Sequence, residues 1–209
     1  MGPPEALILA LQRQLALADF VETGTYRGDT AAWAAQHFPR VTTIEMSPAY
    51  HAAAQTRFRG QTGMRALGGN SGTVLREVVT ALAQPALFWL DAHWSGLDTA
   101  GQDAECPVLE EIAAINASPV THTVLVDDAR LFCAPPPRPH RAEQWPGLVT
   151  LVEALHHDGR RHVVQFEDVF VAVPMAAREC LTGWLQDVAT GPGLRPSGRP
   201  ARWWRKLLP

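Results

Sequence analysis

The chain has 209 residues, of which 46% are hydrophobic and 19% charged, and its formal net charge is −3 at neutral pH. This composition fits one moderate globular domain, and the weak negative charge gives no electrostatic basis for binding nucleic acid or an anionic membrane. No stretch is apolar for long enough to predict stable insertion in a bilayer. Three well-separated cysteines, no CxxC pair and no signal-peptide pattern predict a cytoplasmic protein with a small-molecule partner.

Short β-rich runs alternate with helical stretches along most of the chain, which is typical of βαβ units around a parallel sheet. An amphipathic helix is predicted first, near the N-terminus. The predicted strands then span residues 20–22, 41–45, 64–67, 86–90 and 123–126. The predicted helices that follow them span residues 28–38, 48–58, 71–82, 105–116 and 147–157.

The pattern changes near the C-terminus. Residues 162–166 and 169–173 form two β runs, and only Glu167 and Asp168 separate them, which is too short for a crossover helix. They must therefore pair antiparallel. We predict an α/β fold of five parallel βα units followed by an antiparallel terminal hairpin. Its single domain spans residues 1–175, and a C-terminal helix and a tail rich in Pro, Gly and Arg span residues 176–209.

The segment VETGTYRG, residues 21–28, lies where the first strand turns into the first helix, the place where a doubly wound sheet binds a nucleotide. Gly24 lets the backbone approach a ligand, and Gly28 allows close packing as the helix begins. The spacing lacks the G-x-G-x-x-G that cradles a pyrophosphate, and Glu22 adds a carboxylate suited to a cationic amino group. The loop favours S-adenosylmethionine over a dinucleotide, and a turn without a ligand is the alternative.

Two further strand ends add polar groups to the same edge. Glu45 ends the second strand about twenty residues further on, where a carboxylate can accept both hydroxyls of a ribose. Its alternative role is to cap the helix that begins at Pro48. Asn70 and Ser71 follow the third strand and can offer polar groups to an adenine edge, although a helix N-cap is an alternative role for Ser71.

Acidic residues follow the fourth and fifth strands. Asp91 comes after the fourth, and Asp127 and Asp128 come after the fifth, so parallel strands would bring the three carboxylates together. Such a set raises the pKa of its members or recruits a cation, and its oxygens suit Mg²⁺. In the alternative, Asp128 binds a helix N-terminus, Arg130 pairs with Asp127 and no metal is held.

The run VETGTYRGDTAAWAAQHFPRVTTIEMSPAYHAAAQTRF resembles the cofactor half of bacterial class I S-adenosylmethionine-dependent methyltransferases, and the resemblance extends from about Asp19 to Val173. It implies a Rossmann-like doubly wound fold. It departs from many relatives at Asn70, where they carry an aspartate. The residues that it implies for cofactor binding are Glu22, Gly24, Thr25, Tyr26, Gly28, Thr30, Glu45, Met46, Asn70, Ser71 and Asp91.

The acidic residues resemble the metal site of catechol-type O-methyltransferases. The resemblance implies that Asp91, Asp127 and Asp128 bind Mg²⁺ or Mn²⁺, which would hold an acceptor hydroxyl and lower its pKa. The lysine that serves as base in that family is missing, so we predict His93 as the base and His93 with Asp91 as the catalytic residues. A supporting or core histidine is an equal alternative.

The sequence thus predicts metal-assisted O-methylation of a small molecule such as a sugar, another natural product or a phenol. The alternatives are a metal-free methyltransferase that uses His93, and a non-catalytic protein that binds S-adenosylmethionine. Residues 95–106 are predicted to cover the acceptor as a lid, Trp94 and Trp145 to form apolar walls or to lie in the core, and a homodimer is one way to close the open site.

Overall fold

Seven strands form a single sheet in the computed structural model, which describes residues 2–96 and 99–191. The strand order is β3-β2-β1-β4-β5-β7-β6. Strands β1 to β5 are parallel, whereas β7 runs antiparallel to both β5 and β6. The strands are β1 Asp19–Thr23, β2 Arg40–Glu45, β3 Met64–Gly68, β4 Ala86–Leu90, β5 Thr123–Val126, β6 Arg161–Phe166 and β7 Val169–Pro174. The predicted parallel units and terminal hairpin are confirmed.

Helices connect the parallel strands and cover both faces of the sheet. They are α1 Glu5–Gln14, α2 Asp29–Ala34, α3 Pro48–Arg57, α4 Ser71–Thr80, α5 Val108–Asn116, α6 Arg130–Cys133, α7 Leu148–His156 and α8 Arg178–Thr190. Two short 3₁₀ turns lie at Ala142–Gln144 and Met175–Ala177. The short helix α6 was not predicted, because four residues carry no helical periodicity.

Two helices are shorter than the sequence predicts by three residues or more. Helix α2 ends at Ala34 rather than at residue 38, and tight turns carry the chain to β2. Helix α5 begins at Val108 rather than at residue 105. The cause is Pro107, because a proline disfavours helical backbone in the residue before it, here Cys106.

The sheet separates two apolar cores. Helices α4, α5 and α7 pack on one face, where Leu75, Ile112 and Leu151 are fully buried. Helices α1, α2, α3 and α8 pack on the other face, and Leu7 and Leu181 bring the first and last helices into the same cluster. The central strands β1 and β4 are buried along their whole length, so neither side of them is free to bind a ligand. Only the strand ends remain for a site.

No helix in the described ranges is long and apolar enough to cross a bilayer. Residues 192–209, which form most of the predicted C-terminal tail and include Trp203 and Trp204, lie outside the described part of the chain. Leu97 and Asp98 of the predicted lid lie outside them as well.

Candidate functional site

The carboxyl ends of β1, β2, β4 and β5 meet at one edge of the sheet because the four strands are parallel. Backbone hydrogen bonds continue the sheet one residue past three of these ends. The amides of Gly24, Asp91 and Asp127 donate to carbonyls of the neighbouring strand at 2.9, 3.2 and 3.1 Å. The order of the strands reverses at β1 and β4, which is where doubly wound sheets open a crevice for ligands.

Gly24, the first residue after β1, lies directly against Asp91, the first residue after β4. Its φ is +82°, and a Cβ added there would lie 2.2 Å from the carbonyl oxygen of Asp91. Both the backbone conformation and the space therefore require glycine. Gly24 therefore allows the ends of β1 and β4 to lie close together, in addition to its predicted place beside a ligand.

A cavity of about 310 Å³ opens at this crevice. Residues predicted to bind the cofactor and residues predicted to take part in the reaction line the same cavity. Part of the predicted lid forms a wall made of small side chains: Ser95, Gly96, Thr99, Ala100, Gly101 and Ala104. The predicted site residues that line the cavity are Gly24, Tyr26, Glu45, Met46, Asn70, Ser71, Asp91 and His93.

Six predicted site residues lie outside this lining, namely Glu22, Thr25, Gly28, Thr30, Asp127 and Asp128. Glu22 is buried beneath the loop, where the hydroxyl of Thr43 donates to it at 2.6 Å and contacts the hydroxyl of Thr25 at 2.5 Å. Burial raises the pKa of Glu22 to about 8, against the hydrogen bonds from Thr43 and Thr30 and with a smaller push from the charge of Asp91. Glu22 therefore supports the loop from below.

Glu45 is held in one orientation at the cavity wall. Its Oε2 accepts the backbone N–H of Tyr26 and its Oε1 accepts that of Ser47, both at 2.7 Å. Each carboxylate oxygen can accept a second hydrogen bond, so a diol facing Glu45 would find an acceptor already fixed in place. Burial to 7% exposure keeps competing water away from most of the side chain.

Asn70, rather than Ser71, caps helix α4. The side-chain oxygen of Asn70 accepts the N–H of Thr73 at 3.2 Å, and its backbone is extended, as an N-cap requires. The capping role that was the alternative for Ser71 is therefore wrong. The amide nitrogen of Asn70 is the group left to face a ligand in the cavity.

His93 lies between two aspartates. Its Nε2 is 2.8 Å from Oδ2 of Asp128, and its Nδ1 is 3.8 Å from Oδ1 of Asp91. Burial by itself would lower the pKa of His93, but the hydrogen bond with Asp128 and the charge of Asp91 outweigh it and raise the pKa above its ordinary value. The ring is therefore a stronger base than a free histidine.

Asp91 is the least buried of the three aspartates around His93, with 36% of its side chain exposed. Loss of water contact raises the pKa of Asp91 to about 7; the charge of His93 opposes that rise, and those of Asp127 and Asp128 add to it. Among the described residues, Asp91 and Glu45 are the carboxyl groups in the cavity lining, and no lysine or arginine lines it.

Donors of the protein itself engage the carboxylates of Asp127 and Asp128. Oδ2 of Asp128 is taken by His93 and Oδ1 accepts from Arg130 Nη1 at 2.6 Å, while Oδ1 of Asp127 accepts the backbone N–H of Asp128. Arg130 thus supplies the positive charge at this edge. Within residues 2–96 and 99–191, no group of three or more His, Cys, Asp or Glu side chains is arranged to hold a metal.

Arg130 also corrects a pairing in the metal-free alternative. It was expected to pair with Asp127, but its guanidinium bridges Asp128 and Asp168, the latter in the turn between β6 and β7. The hydrogen bonds from His93 and Arg130 hold the pKa of Asp128 well below its usual range, although burial opposes them. The role of Asp168 was missed, because nothing local in the sequence shows that the hairpin turn returns to the end of β5.

Trp94 and Trp145 do not line the cavity. Both are buried, and their rings contact His140 at centroid distances of 5.3 Å. Glu105 fastens this aromatic cluster by accepting the indole N–H of Trp145 at 2.9 Å. The two tryptophans therefore take the core role that was the alternative to the predicted apolar walls.

Glu111 is a buried acid near the site that was also missed. It is 1% exposed, and burial raises its pKa, against the hydroxyls of Ser71 and Thr23. A signal for it exists in the sequence. Val108, Glu111 and Ile112 follow the i, i+3, i+4 spacing of a buried helix face, so Glu111 occupies a core position.

Solved structures of several methyltransferases share this fold. A Podospora anserina methyltransferase bound to S-adenosylhomocysteine has a TM-score of 0.59 at 18% identity, covering 83% of this chain and 80% of that chain. The O-methyltransferase TomG of Streptomyces achromogenes, in complex with S-adenosylmethionine, has a TM-score of 0.58 at 20% identity, covering 83% and 81%. The sugar N-methyltransferase KedS8 of Streptoalloteichus has a TM-score of 0.53 at 14% identity, covering 80% and 84%.

At these identities the likeness concerns the fold, which is the Rossmann-like fold of class I methyltransferases, as the sequence predicted. No protein-family profile matches the chain, and no curated protein sequence matches it. The chemistry of the site must therefore be argued from its own residues.

Gly24→Ala should destabilise the protein more than Gly60→Ala. Both glycines have φ near +80°, so both variants suffer the strain of left-handed backbone, about 1–2 kcal/mol. Only at position 24 does the new Cβ also collide with backbone, whereas nothing lies within 4 Å at position 60. Urea unfolding of the two variants tests this, and equal losses of stability would contradict the close approach of β1 and β4.

Glu22→Gln should flatten the pH dependence of stability. The pKa of Glu22 is about 8 in the folded protein and near 4.5 when exposed, so between these values the folded state holds a proton that the unfolded state has released. The free energy of unfolding of the wild type therefore falls as pH rises through this window, by at most about 1.4 kcal/mol per pH unit from this group. Glutamine cannot titrate and removes that slope.

Urea unfolding at a series of pH values between about 5 and 8 measures both slopes. Glu77→Gln, at an exposed position of α4, is the matched control and should keep the slope of the wild type. Identical slopes for wild type and Glu22→Gln would show that Glu22 ionises normally in the folded protein.

Proposed function

We propose that this protein is an S-adenosylmethionine-dependent methyltransferase that methylates a hydroxyl oxygen of a small molecule without a metal ion. The observation that carries the proposal is that the carboxylate of Glu45 and the ring of His93 line the same cavity at the reversal of strand order. The shared fold with methyltransferase structures agrees with this use of the cavity.

The donors and acceptors in the lining fit S-adenosylmethionine better than a phosphorylated nucleotide. Glu45 would accept the ribose hydroxyls, Asn70 and Ser71 would face the adenine, and Gly24 and Tyr26 would border the methionine part. In the described lining, no lysine or arginine is available to bind a phosphate. The carboxyl groups of Glu45 and Asp91 would repel one. A cofactor with an ammonium, a sulfonium and no phosphate suits that charge.

The chain's own residues would prepare the acceptor. Bound S-adenosylmethionine supplies an electrophilic methyl group on a sulfonium sulfur. Asp128 holds Nε2 of His93, which leaves Nδ1 to take the proton of the acceptor hydroxyl. Asp91, 3.8 Å from Nδ1, stabilises the positive ring that results. Holding the oxygen in line with the methyl group supplies much of the rate.

The metal-assisted mechanism is not part of this proposal. Both oxygens of Asp128 are occupied by protein donors, and Arg130 already provides the cation that an acidic cluster needs. A metal ion would bind the acceptor oxygen and lower the pKa of its hydroxyl group. In this proposal, His93 removes the hydroxyl proton without that help.

An amine acceptor is the second candidate, and the partly exposed carboxyl group of Asp91 in the cavity lining favours it. An ammonium group would pair with Asp91 before His93 removes its proton. Mass spectrometry of the methylated product distinguishes the two, because an O-methyl and an N-methyl product fragment differently.

Glu45→Gln should weaken the binding of S-adenosylhomocysteine about tenfold or more, since it removes a charge-assisted acceptor that two backbone amides hold in place. Isothermal titration calorimetry measures the affinity, with Glu77→Gln as a control that keeps the wild-type value. A wild-type protein that does not bind S-adenosylhomocysteine would overturn the proposed function.

Removal of divalent metal ions should change neither the affinity for S-adenosylhomocysteine nor the rate of methyl transfer. The experiment compares protein treated with EDTA and protein supplied with Mg²⁺ or Mn²⁺, in calorimetry and in an assay of S-adenosylhomocysteine release with a panel of hydroxyl and amine acceptors. Activity that appears only with added metal would restore the mechanism implied by the acidic residues.

A further inference from the structure

A chain of charged side chains links the terminal hairpin to the proposed base. Asp168 lies in the turn between β6 and β7, and its Oδ2 pairs with Arg130 Nη1. The same nitrogen donates to Oδ1 of Asp128 at 2.6 Å, and Oδ2 of Asp128 is 2.8 Å from Nε2 of His93. Four side chains from three separate parts of the sequence therefore form one continuous path.

The turn also holds the backbone on which this path depends. The carbonyl oxygen of Asp168 accepts the N–H of Ala129 at 2.8 Å, and its Oδ1 accepts the N–H of Arg130 at 2.9 Å. Between these contacts and β5 lies Asp128, whose φ of +55° is in the left-handed region. A non-glycine residue keeps that conformation only where its surroundings hold it.

We propose that Arg130 and Asp168 are positioning residues that fix the carboxylate of Asp128 and, through it, keep the His93 proton on Nε2 and direct Nδ1 to the cavity. This inference rests on the proposed function, in which His93 is the base. A neutral histidine exchanges its proton between two nitrogens, and the hydrogen bond at one nitrogen decides which form is present. An Asp128 carboxylate that rotated freely would not stabilise one of these two forms over the other.

The burial of the four side chains supports a directional role. Asp128 and Asp168 have 13% and 17% of their side chains exposed, and His93 only 6%, whereas Arg130 is 57% exposed. Water can reach the guanidinium but has little access to the bond between Asp128 and His93. The Arg130 guanidinium therefore orients Asp128 and Asp168 from the solvent side, whereas the hydrogen bond between Asp128 and His93 lies inside the protein.

Nuclear magnetic resonance of the full-length protein labelled with ¹⁵N-histidine tests the proposal at alkaline pH, where the His93 ring is neutral. Comparison with His93→Gln identifies the His93 signals. We expect the wild type to show the form with the proton on Nε2. A wild-type ring protonated at Nδ1 would overturn the proposal at once.

Asp168→Asn keeps the size of the side chain and an oxygen for the N–H of Arg130 but loses the ion pair. We expect His93 in this variant to lose its single form and show a mixture of both. Glu167→Gln, in the same turn and with the same change of charge, is the matched control and should keep the wild-type signals, because Glu167 is exposed and its side chain has no ion pair in the described residues.

Arg130→Gln is the second variant, in case Asp168→Asn does not fold, since the Arg130 side chain is more than half exposed. It should also lose the single form of His93. Wild-type His93 signals in either folded variant would assign Arg130 and Asp168 a purely structural role. Calorimetry with S-adenosylhomocysteine is a separate readout: absence of binding to the wild type would contradict the proposed function, whereas unchanged His93 signals in the variants contradict only the positioning role.

Discussion

The ladders of the parallel sheet continue beyond the ends of their strands, and the site is built on that continuation. The first residue after β1, β4 and β5 donates a backbone hydrogen bond to the adjacent strand, which fixes Gly24, Asp91 and Asp127 side by side. Because the sheet is buried on both faces by helices, its edge is the place where polar groups can meet a ligand. The places of Gly24, Asp91 and His93 in the proposed site follow from this arrangement.

Placing acids at such an edge is costly, and the protein handles the cost in different ways at different depths. Deep in the fold, burial favours the protonated forms of Glu22 and Glu111, and hydroxyl groups lie beside both. Near the cavity, His93 and Arg130 hold Asp128 ionised. Asp91 lies between these extremes, which leaves a carboxyl group that can respond to the charge of whatever enters the cavity.

The terminal hairpin has a role beyond completing the sheet. Strand β7 lies between β5 and β6 in the sheet, and the turn before it carries Asp168 to the loop that follows β5. A sixth parallel strand would need a crossover connection and would not present a tight turn at this point. The antiparallel end of the fold thereby supplies the acid that pairs with Arg130 near the proposed base.

Local sequence patterns were enough to predict the fold and much of the cavity lining. Alternating patterns locate each strand within a residue at either end, since hydrophobic periodicity and turn residues are local properties of a chain. Gly24, Glu45 and His93 could be selected because they lie at or shortly after the ends of parallel strands, and those ends meet at one edge of the sheet. The partners of those residues could not be predicted in the same way. The pairing of Arg130 with Asp128 and Asp168, the core position of Trp145 and the engagement of both Asp128 oxygens depend on side-chain contacts between distant segments, and local patterns do not encode such contacts.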